Sequence, residues 1–384
     1  MKRPSAGIIT AVELQTGILG GLVNRFGSTH VVDDRETWDV LVDTVSGGQI
    51  LQSFGWGAFK ARYSWFPLRV AHYRRGTPVA AAQVLLKRTP VGPIAYVPRG
   101  PLVSPGNESV LPEFVDALHR IVREHGVVRL TIEPEWPDNR ENVELLKSLD
   151  FFPSEPVQPR TTLILDLRQD VGALLASMNP RTRHNVRYAS HRGVSVEVGG
   201  DGDLPTFYAV LNDTSRRNHV PINEFAFYDA LWKALAPSGQ AHLLVAHQRG
   251  QPLSVAMILT MGKAAYYMYG GSSSTTRDIR PSDLLQWEAI RQARERGCAT
   301  YDFWGVPDEV GHHEALDEGR GSISGPVDRH YSRSLWGVYH FKRGFGGRAV
   351  RYVGAYNYVY QPRRHWLWQF LAPRVRAVSS LFEK

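Results

Sequence analysis

Residues 69–87 read RVAHYRRGTPVAAAQVLLK, and residues 243–261 read LLVAHQRGQPLSVAMILTM. Each is an apolar β-rich run, an Arg-Gly pair (Arg75-Gly76, Arg249-Gly250), a proline two residues on (Pro78, Pro252) and a second apolar run. That pattern predicts a strand hairpin, and here it occurs twice at an offset of 174 residues. A second aromatic strand follows each hairpin, PIAYVPRGPLV from Pro93 and KAAYYMYGGSS from Lys263. Next come LPEFVDALHRIVREHG and SDLLQWEAIRQARERG, apolar at three- and four-residue spacing and stopped at Gly126 and Gly297, which reads as a capped helix in each case. VVRLTIEP and CATYDFWG are then β-rich, and the offset has moved only to 171.

Hairpin, strand, helix and strand, repeated in order, predict an α+β chain of two domains, each a mixed sheet with flanking helices. The length of 384 residues agrees, at roughly 100 to 200 residues per domain. PSEPVQPR at 153–160 is rich in proline and polar residues, and TTLILDL after it opens a strand. The expected domains are therefore 1–159 and 160–354, with 355–384 completing the first.

Composition narrows the function. Hydrophobic residues make up 43% and charged residues 21%, which excludes wholesale disorder. One cysteine, Cys298, excludes a disulfide framework and any Cys-rich zinc site. No run of 18 apolar residues is present, so no transmembrane helix is predicted. Lys2 and Arg3 lead into no clean apolar leader, and the expected location is cytoplasmic. The net charge of +8 comes from 45 basic and 37 acidic residues, and all of it follows His340, where nine basic residues face the single acid Glu383.

Four stretches carry residues suited to chemistry. GVYHFKRGFGG (337–347) reads as an aromatic strand delivering Phe341 and Lys342 to a glycine turn. With only eight lysines against 37 arginines, a lysine at a sheet edge suits a developing oxyanion or a phosphate. MNPRTRHNVRYASHRGV (178–194) holds Arg181, Arg183, Arg187 and Arg192 without one acid; on a helix Arg183 and Arg187, four apart, share a face that would attract phosphates. QSFGWGAFK (52–60) sets Phe54, Trp56 and Phe59 beside Lys60, and YVPRGP (96–101) ends a strand with Arg99 placed to project into a cleft. Tyr266, Tyr267 and Tyr269 occupy the matching strand of the second half, with Tyr267 and Tyr269 expected on one face. Each stretch also has a plain structural alternative: a solvated hairpin lysine, a solvated basic helix, aromatics of the core. His312-His313 with Glu314 lacks metal-ligand spacing, and no Walker loop, GxSxG or HExxH occurs. The final RRHWLWQFLAPRVRAVSSLF interleaves basic and aromatic residues, as an interfacial helix does, or packs Trp366, Leu367 and Phe370 onto the body.

Taken in order, QSFGWGAFK, YVPRGP, TRHNVRYA, TSRRNH, YMYGGSS, LLQWEAI, YDFWGV and VYHFKRGFGG resemble the FemABX peptidyltransferases from about residue 50 to about 356. The resemblance implies two tandem domains of the GNAT N-acetyltransferase type. It also implies transfer of an amino acid from aminoacyl-tRNA to the stem-peptide amine of a peptidoglycan precursor. That reaction needs no metal or cofactor, with aminoacyl-tRNA as co-substrate; the basic C-terminal tail, read by itself, suits either tRNA phosphates or a peripheral contact with the inner membrane surface. By position, it makes Lys342 the cation at the oxyanion and Phe341 a wall of the site. Lys60 and Arg217 become ligands of the precursor diphosphate, and Arg99, Tyr269 and Arg183 further substrate contacts. Three departures stand out. Leu102, Val103 and Ser104 occupy the place of an acid, residues 200–240 lack the heptads of a coiled-coil arm, and the 307–336 loop is long. The competing readings are an acyl-CoA-dependent N-acyltransferase, with Arg343-Gly-Phe-Gly346 as the nearest pyrophosphate loop, and an RNA-binding protein without catalysis.

Overall fold

The computed structural model describes residues 28–218, 220–274, 277–311 and 329–367. The first half runs β1 (Thr29–Val31), α1 (Arg35–Ser46), α2 (Phe54–Ala61), β2 (Trp65–Arg74), β3 (Thr77–Lys87), β4 (Ile94–Pro98), β5 (Leu102–Val103), α3 (Leu111–Glu124), β6 (Arg129–Glu133), α4 (Arg140–Ser148) and β7 (Phe152–Ser154). The second half opens with β8 (Thr161–Asp166), α5 (Val171–Ser177), α6 (Pro180–His191), β9 (Ser195–Gly199), α7 (Leu204–Asn218) and α8 (Phe225–Leu235). It continues through β10 (Ala241–Gln248), β11 (Gln251–Met261), β12 (Ala264–Ser272), α9 (Pro281–Glu295), β13 (Thr300–Gly305), α10 (Arg329–Arg343), β14 (Arg348–Arg351) and β15 (Ala355–Val359).

The repeated stretches form hairpins β2–β3 and β10–β11, and their likeness extends to the backbone. Arg75 and Gly76 have φ of 52° and 80°, Arg249 and Gly250 of 51° and 75°, so both loops place two left-handed residues in a two-residue turn. Each hairpin also shifts register, between His72 and Tyr73 and between Ala246 and His247, again 174 residues apart. The aromatic strand that follows pairs antiparallel with the hairpin, and its other neighbour, reached through α3 or α9, is parallel: β4 with β6, β12 with β13.

Two sheets result, ordered β1-β2-β3-β4-β6-β15-β7 and β14-β8-β13-β12-β11-β10-β9, with β5 on β3. In the second sheet the strand beside the parallel pair is β8, at the start of that half. In the first it is β15, which pairs with β6 only after the chain has run through the second sheet. Mixed α/β architecture with two similar sheets agrees with the fold expected from sequence.

Three apolar clusters stack these parts in layers. One face of each sheet is buried against a shared middle layer of α1, α2, α7 and α8, with Trp38, Phe59, Phe207, Tyr228, Met257 and Tyr266 among its members. The outer face of the first sheet packs on α3 and α4, and that of the second on α5, α6 and α9. Helix α3 shows why: Leu111, Phe114, Val115, Leu118, Ile121 and Val122 are buried, a stripe at three- and four-residue spacing. Each such side chain stabilises the fold by roughly 1.5–3 kcal/mol on burial.

Candidate functional site

Phe341 and Lys342 lie in the last turn of α10, not on a strand. The run VYHF alternates like β structure, but its contacts have helical spacing: Trp336 meets the rings of Tyr339 and His340, three and four residues on, Phe341 meets Phe345 at 5.3 Å within the outer cluster of the second sheet, and His340 and Arg343 are exposed. The helix is stopped by Gly346 and Gly347, with φ of 94° and 88°. Because α10 starts at Arg329, the expected 307–336 loop is shorter than that span, and its part from 312 to 328 lies outside the described residues, as do His312, His313 and Glu314.

Lys342 is only 5% exposed. Its ammonium donates to the carbonyl oxygens of Gly305 at 2.8 Å and Trp304 at 3.4 Å, at the end of β13, and lies 6.0 Å from the centre of the Tyr267 ring. Burial pulls its pKa down to about 7, against the opposing pull of the Asp302 carboxylate. Asp302, itself buried, accepts hydrogen bonds from the Thr162 hydroxyl and from the Trp304 amide, the latter at 2.6 Å. That amide bond holds Trp304 in a left-handed conformation, φ 62°, which is strained for a tryptophan. The turn so fixed aims two carbonyls at Lys342. Burial raises the Asp302 carboxyl above its ordinary value, and Thr162, the Trp304 amide, Arg99 and Lys342 oppose the rise.

Arg99 departs from its expected projection into a cleft: it is 1% exposed. Its Nη2 donates to Pro159 O at 2.8 Å, Nε lies 3.6 Å from Glu135, and the guanidinium stands 5.2 Å from the Trp304 ring and 4.9 Å from that of Tyr352. Desolvation weakens its charge, and Glu135, Tyr352, Glu133 and Asp302 more than compensate, so its pKa is raised. Behind it Glu133 accepts from Tyr96 Oη at 2.5 Å and from the amides of Val157 and Gln158 at 3.0 and 2.9 Å. Arg99 therefore backs Trp304 from within the seam between the halves.

A second group lies along the middle layer. Lys60, half-buried near the end of α2, is 5.9 Å from the Trp65 ring, and Lys87 is 5.3 Å from the same ring. Burial lowers the Lys60 pKa, and Lys87 lowers it further. An aromatic path leads from Phe59 to Phe227 (5.0 Å) and on to Tyr269 (6.3 Å). At the end of the same β12 strand, Arg217 donates to Ser272 O at 2.9 Å and Ser272 Oγ at 3.2 Å and faces Asp213 at 3.8 Å.

Tyr267 and Tyr269 do not share a face. The β11–β12 register shifts between Met257 and Ile258, which pair with Tyr269 and Tyr267, so Met268 is an extra residue. Such a bulge reverses the alternation beyond it. Tyr267 thus faces the outer cluster with Lys342, and Tyr269 the middle layer.

Arg183 joins neither group. Its Nη1 donates to Leu175 O and Ala176 O, both at 3.1 Å, capping the last turn of α5. Helix α6 is nonetheless tied to the site: the Asn179 amide donates to Gly344 O at 2.9 Å, and a side chain at Gly344 would collide with Thr182 Oγ1. Arg181, His184, Arg187, His191 and Arg192 on and just after this helix are exposed. The residues that sequence reasoning passed over are Asp302, Trp304 and Lys87. A lone acid inside the apolar strand YDFWG was the available signal for the first.

Residues 34–148 match the FemAB family model, and residues 180–314 match that of the acetyltransferase (GNAT) domain. The lipid II:glycine glycyltransferase of Staphylococcus aureus (strain USA300) is 23% identical over 418 residues, spanning 88% of this chain and 94% of the relative; that of strain MRSA252 gives the same figures. Among solved structures, FemX superposes with a TM-score of 0.75 at 21% identity, over 88% of this chain and 98% of its own. L-PGS from Bacillus licheniformis reaches 0.51 at 13% identity, over 85% and 92%. The first half thus carries the match to the FemAB family model, the second the match to the acetyltransferase (GNAT) domain, and the two together follow the fold of FemX.

Proposed function

We propose that the protein is an aminoacyltransferase that moves an amino acid from aminoacyl-tRNA to the stem-peptide amine of a peptidoglycan precursor. The observation that carries this reading is Lys342, buried at the junction of α10 and β13 with two of its three N–H donors directed at Trp304 O and Gly305 O. A third donor remains for a substrate oxygen.

In the reaction the free amine attacks the ester carbonyl, forming the C–N bond, and negative charge collects on the carbonyl oxygen. Collapse breaks the C–O bond, and the proton lost by the attacking nitrogen goes to the departing ribose oxygen. An ester is already activated, so the protein has to align two large anionic substrates and stabilise the oxyanion. Lys342 serves the oxyanion, and Phe341 forms a wall. Lys60 and Arg217 hold the diphosphate, with Tyr269 between them on the aromatic path.

Homology to a lipid II:glycine glycyltransferase supports the acceptor class. The basic face of α6, bonded to the loop that follows Lys342, supports an anionic polymer as donor. An acyl-CoA donor fits the same loop poorly. The amides of Gly344, Phe345 and Gly346 already donate to Phe341 O, Lys342 O and Arg343 O, leaving none of the three for a pyrophosphate.

The test is transfer of labelled amino acid from mixed charged tRNA to lipid-linked and nucleotide-linked precursors. Lys342→Ala is expected to lower single-turnover transfer by about 10²–10³, or roughly 2.7–4 kcal/mol, the cost of one lost oxyanion donor. Folded protein that transfers nothing from any tRNA to either precursor would refute the reading.

A further inference from the structure

One end of the first sheet combines exposed apolar side chains with a group of exposed arginines, against which the sequence sets the acids Glu124 and Asp150 just before β6 and β7. It is the end where β2 begins, β3 and β15 finish, and β4 and β6 start, as the pairs Trp65–Lys87, Lys87–Ile94, Ile94–Arg129 and Arg129–Val359 establish. The turn after β3 reaches the segment after β15: a Cβ on Gly92 would lie 3.6 Å from Arg364 Nη1. Phe66 is 61% exposed here, and Trp366 and Leu367 are 66% and 41% exposed. Arg62, Arg88, Arg363 and Arg364 are exposed beside them. No acidic residue occurs in the sequence from Thr44 to Asn107, or from Arg329 to Phe382.

We propose that this sheet end is a docking surface for an anionic lipid bilayer. The choice of occupant rests on the proposed function, since a lipid-linked acceptor has to be collected at a membrane. It rests equally on chemistry: aromatic and aliphatic side chains enter the headgroup boundary while flanking arginines meet anionic headgroups. Lys60, next to Trp65, stands at the margin of the same surface. A diphosphate held there would lie close to the headgroup plane, with its stem peptide directed along the middle layer toward Tyr269. RNA is the other polyanion that basic charge could attract, but the loop tied to α6 and Lys342 belongs to the second half, and exposed Phe66 and Leu367 suit lipid better than phosphate.

Co-sedimentation of the full chain with phosphatidylcholine vesicles, with and without phosphatidylglycerol, tests the proposal without any substrate, so loss of the transfer reading leaves the result standing. Binding is expected to anionic vesicles and to weaken with salt. Arg88→Gln and Arg364→Gln should each reduce the partition coefficient about fivefold. Phe66→Ser combined with Trp366→Ser should abolish what remains at high salt. Circular dichroism confirms that each variant is folded, and transfer to a water-soluble precursor should be unchanged in all of them. Absence of vesicle binding by the full chain overturns the proposal, as does vesicle binding that the four substitutions leave intact. If the same substitutions weaken tRNA binding in a mobility shift and spare vesicle binding, the surface is an RNA site and the proposal fails.

Discussion

Lys342 shows how a single buried charge links stability to chemistry. Its pKa falls from 10.5 to about 7 on folding, so between those values the unfolded chain binds more protons than the folded one. Stability must therefore rise with pH through that window, by at most about 1.4 kcal/mol per pH unit. Lys342→Met should flatten this rise, and near pH 7 it should match or exceed the wild type in urea unfolding while losing transfer. Retention of the full wild-type slope would show that Lys342 is not the titrating group. Asp302 acts on the same lysine through the Trp304 turn. Asp302→Asn keeps an oxygen for the Trp304 amide but removes the carboxylate that favours the ammonium. The alkaline limb of the transfer profile, where Lys342 loses its proton, should move to lower pH, with kcat falling more than KM rises. An unmoved limb would reduce Asp302 to a structural role. Lys342 was legible in the sequence as a scarce residue before a glycine turn. Asp302 was not, because its importance lies in an amide two residues on that only the strained turn brings to it.

The two hairpins were legible because their turns demand a narrow set of backbone conformations, and an Arg-Gly pair between apolar runs announces them. Arg75 and Arg249 are nonetheless poor choices for a left-handed site, which costs an ordinary L-residue roughly 1 kcal/mol or more. Replacing each by Asn, which tolerates that region and precedes Gly in the favoured turn, should raise stability by about 0.5–1 kcal/mol per hairpin. Two independent and additive shifts in the denaturation midpoint would verify it; destabilisation by either change would show that the arginine side chain is needed. Elements were misread where local pattern and packing diverge. The FK segment has β-like alternation, yet Trp336 meets Tyr339 and His340 three and four residues on, as on a helix. The β12 bulge at Met268 inserts one residue into an unbroken aromatic run, and nothing in the run marks where alternation reverses. Arg99 precedes a glycine at a strand end, a place that suits a cleft residue, but carboxylates from β6 and its following loop draw it inside.

On the scale of the whole molecule the halves are joined through Arg351, on β14 of the second sheet, which pairs with Asp138 and, at 2.9 Å, with Asp308. Arg160 adds a contact to the same Asp138 at 3.3 Å and to Val353 O at 3.1 Å. Arg351→Met takes from Asp138 and Asp308 the guanidinium they share and leaves Arg160 as the cation beside Asp138. Breaking a buried pair from one side costs roughly 3–5 kcal/mol, and calorimetry should then resolve two unfolding transitions where the wild type has one. A single transition at the wild-type temperature would assign the coupling to the apolar middle layer instead. The tandem plan was readable from the 174-residue offset, whereas the seam was not, since its members are scattered from Arg99 to Tyr352. The placement of β15 has a further consequence, for synthesis. On the ribosome the first half emerges with β6 as an open edge, and its partner strand is made more than two hundred residues later, so this half cannot close its sheet until almost the whole chain is out. A cell making this protein has to guard that edge throughout translation.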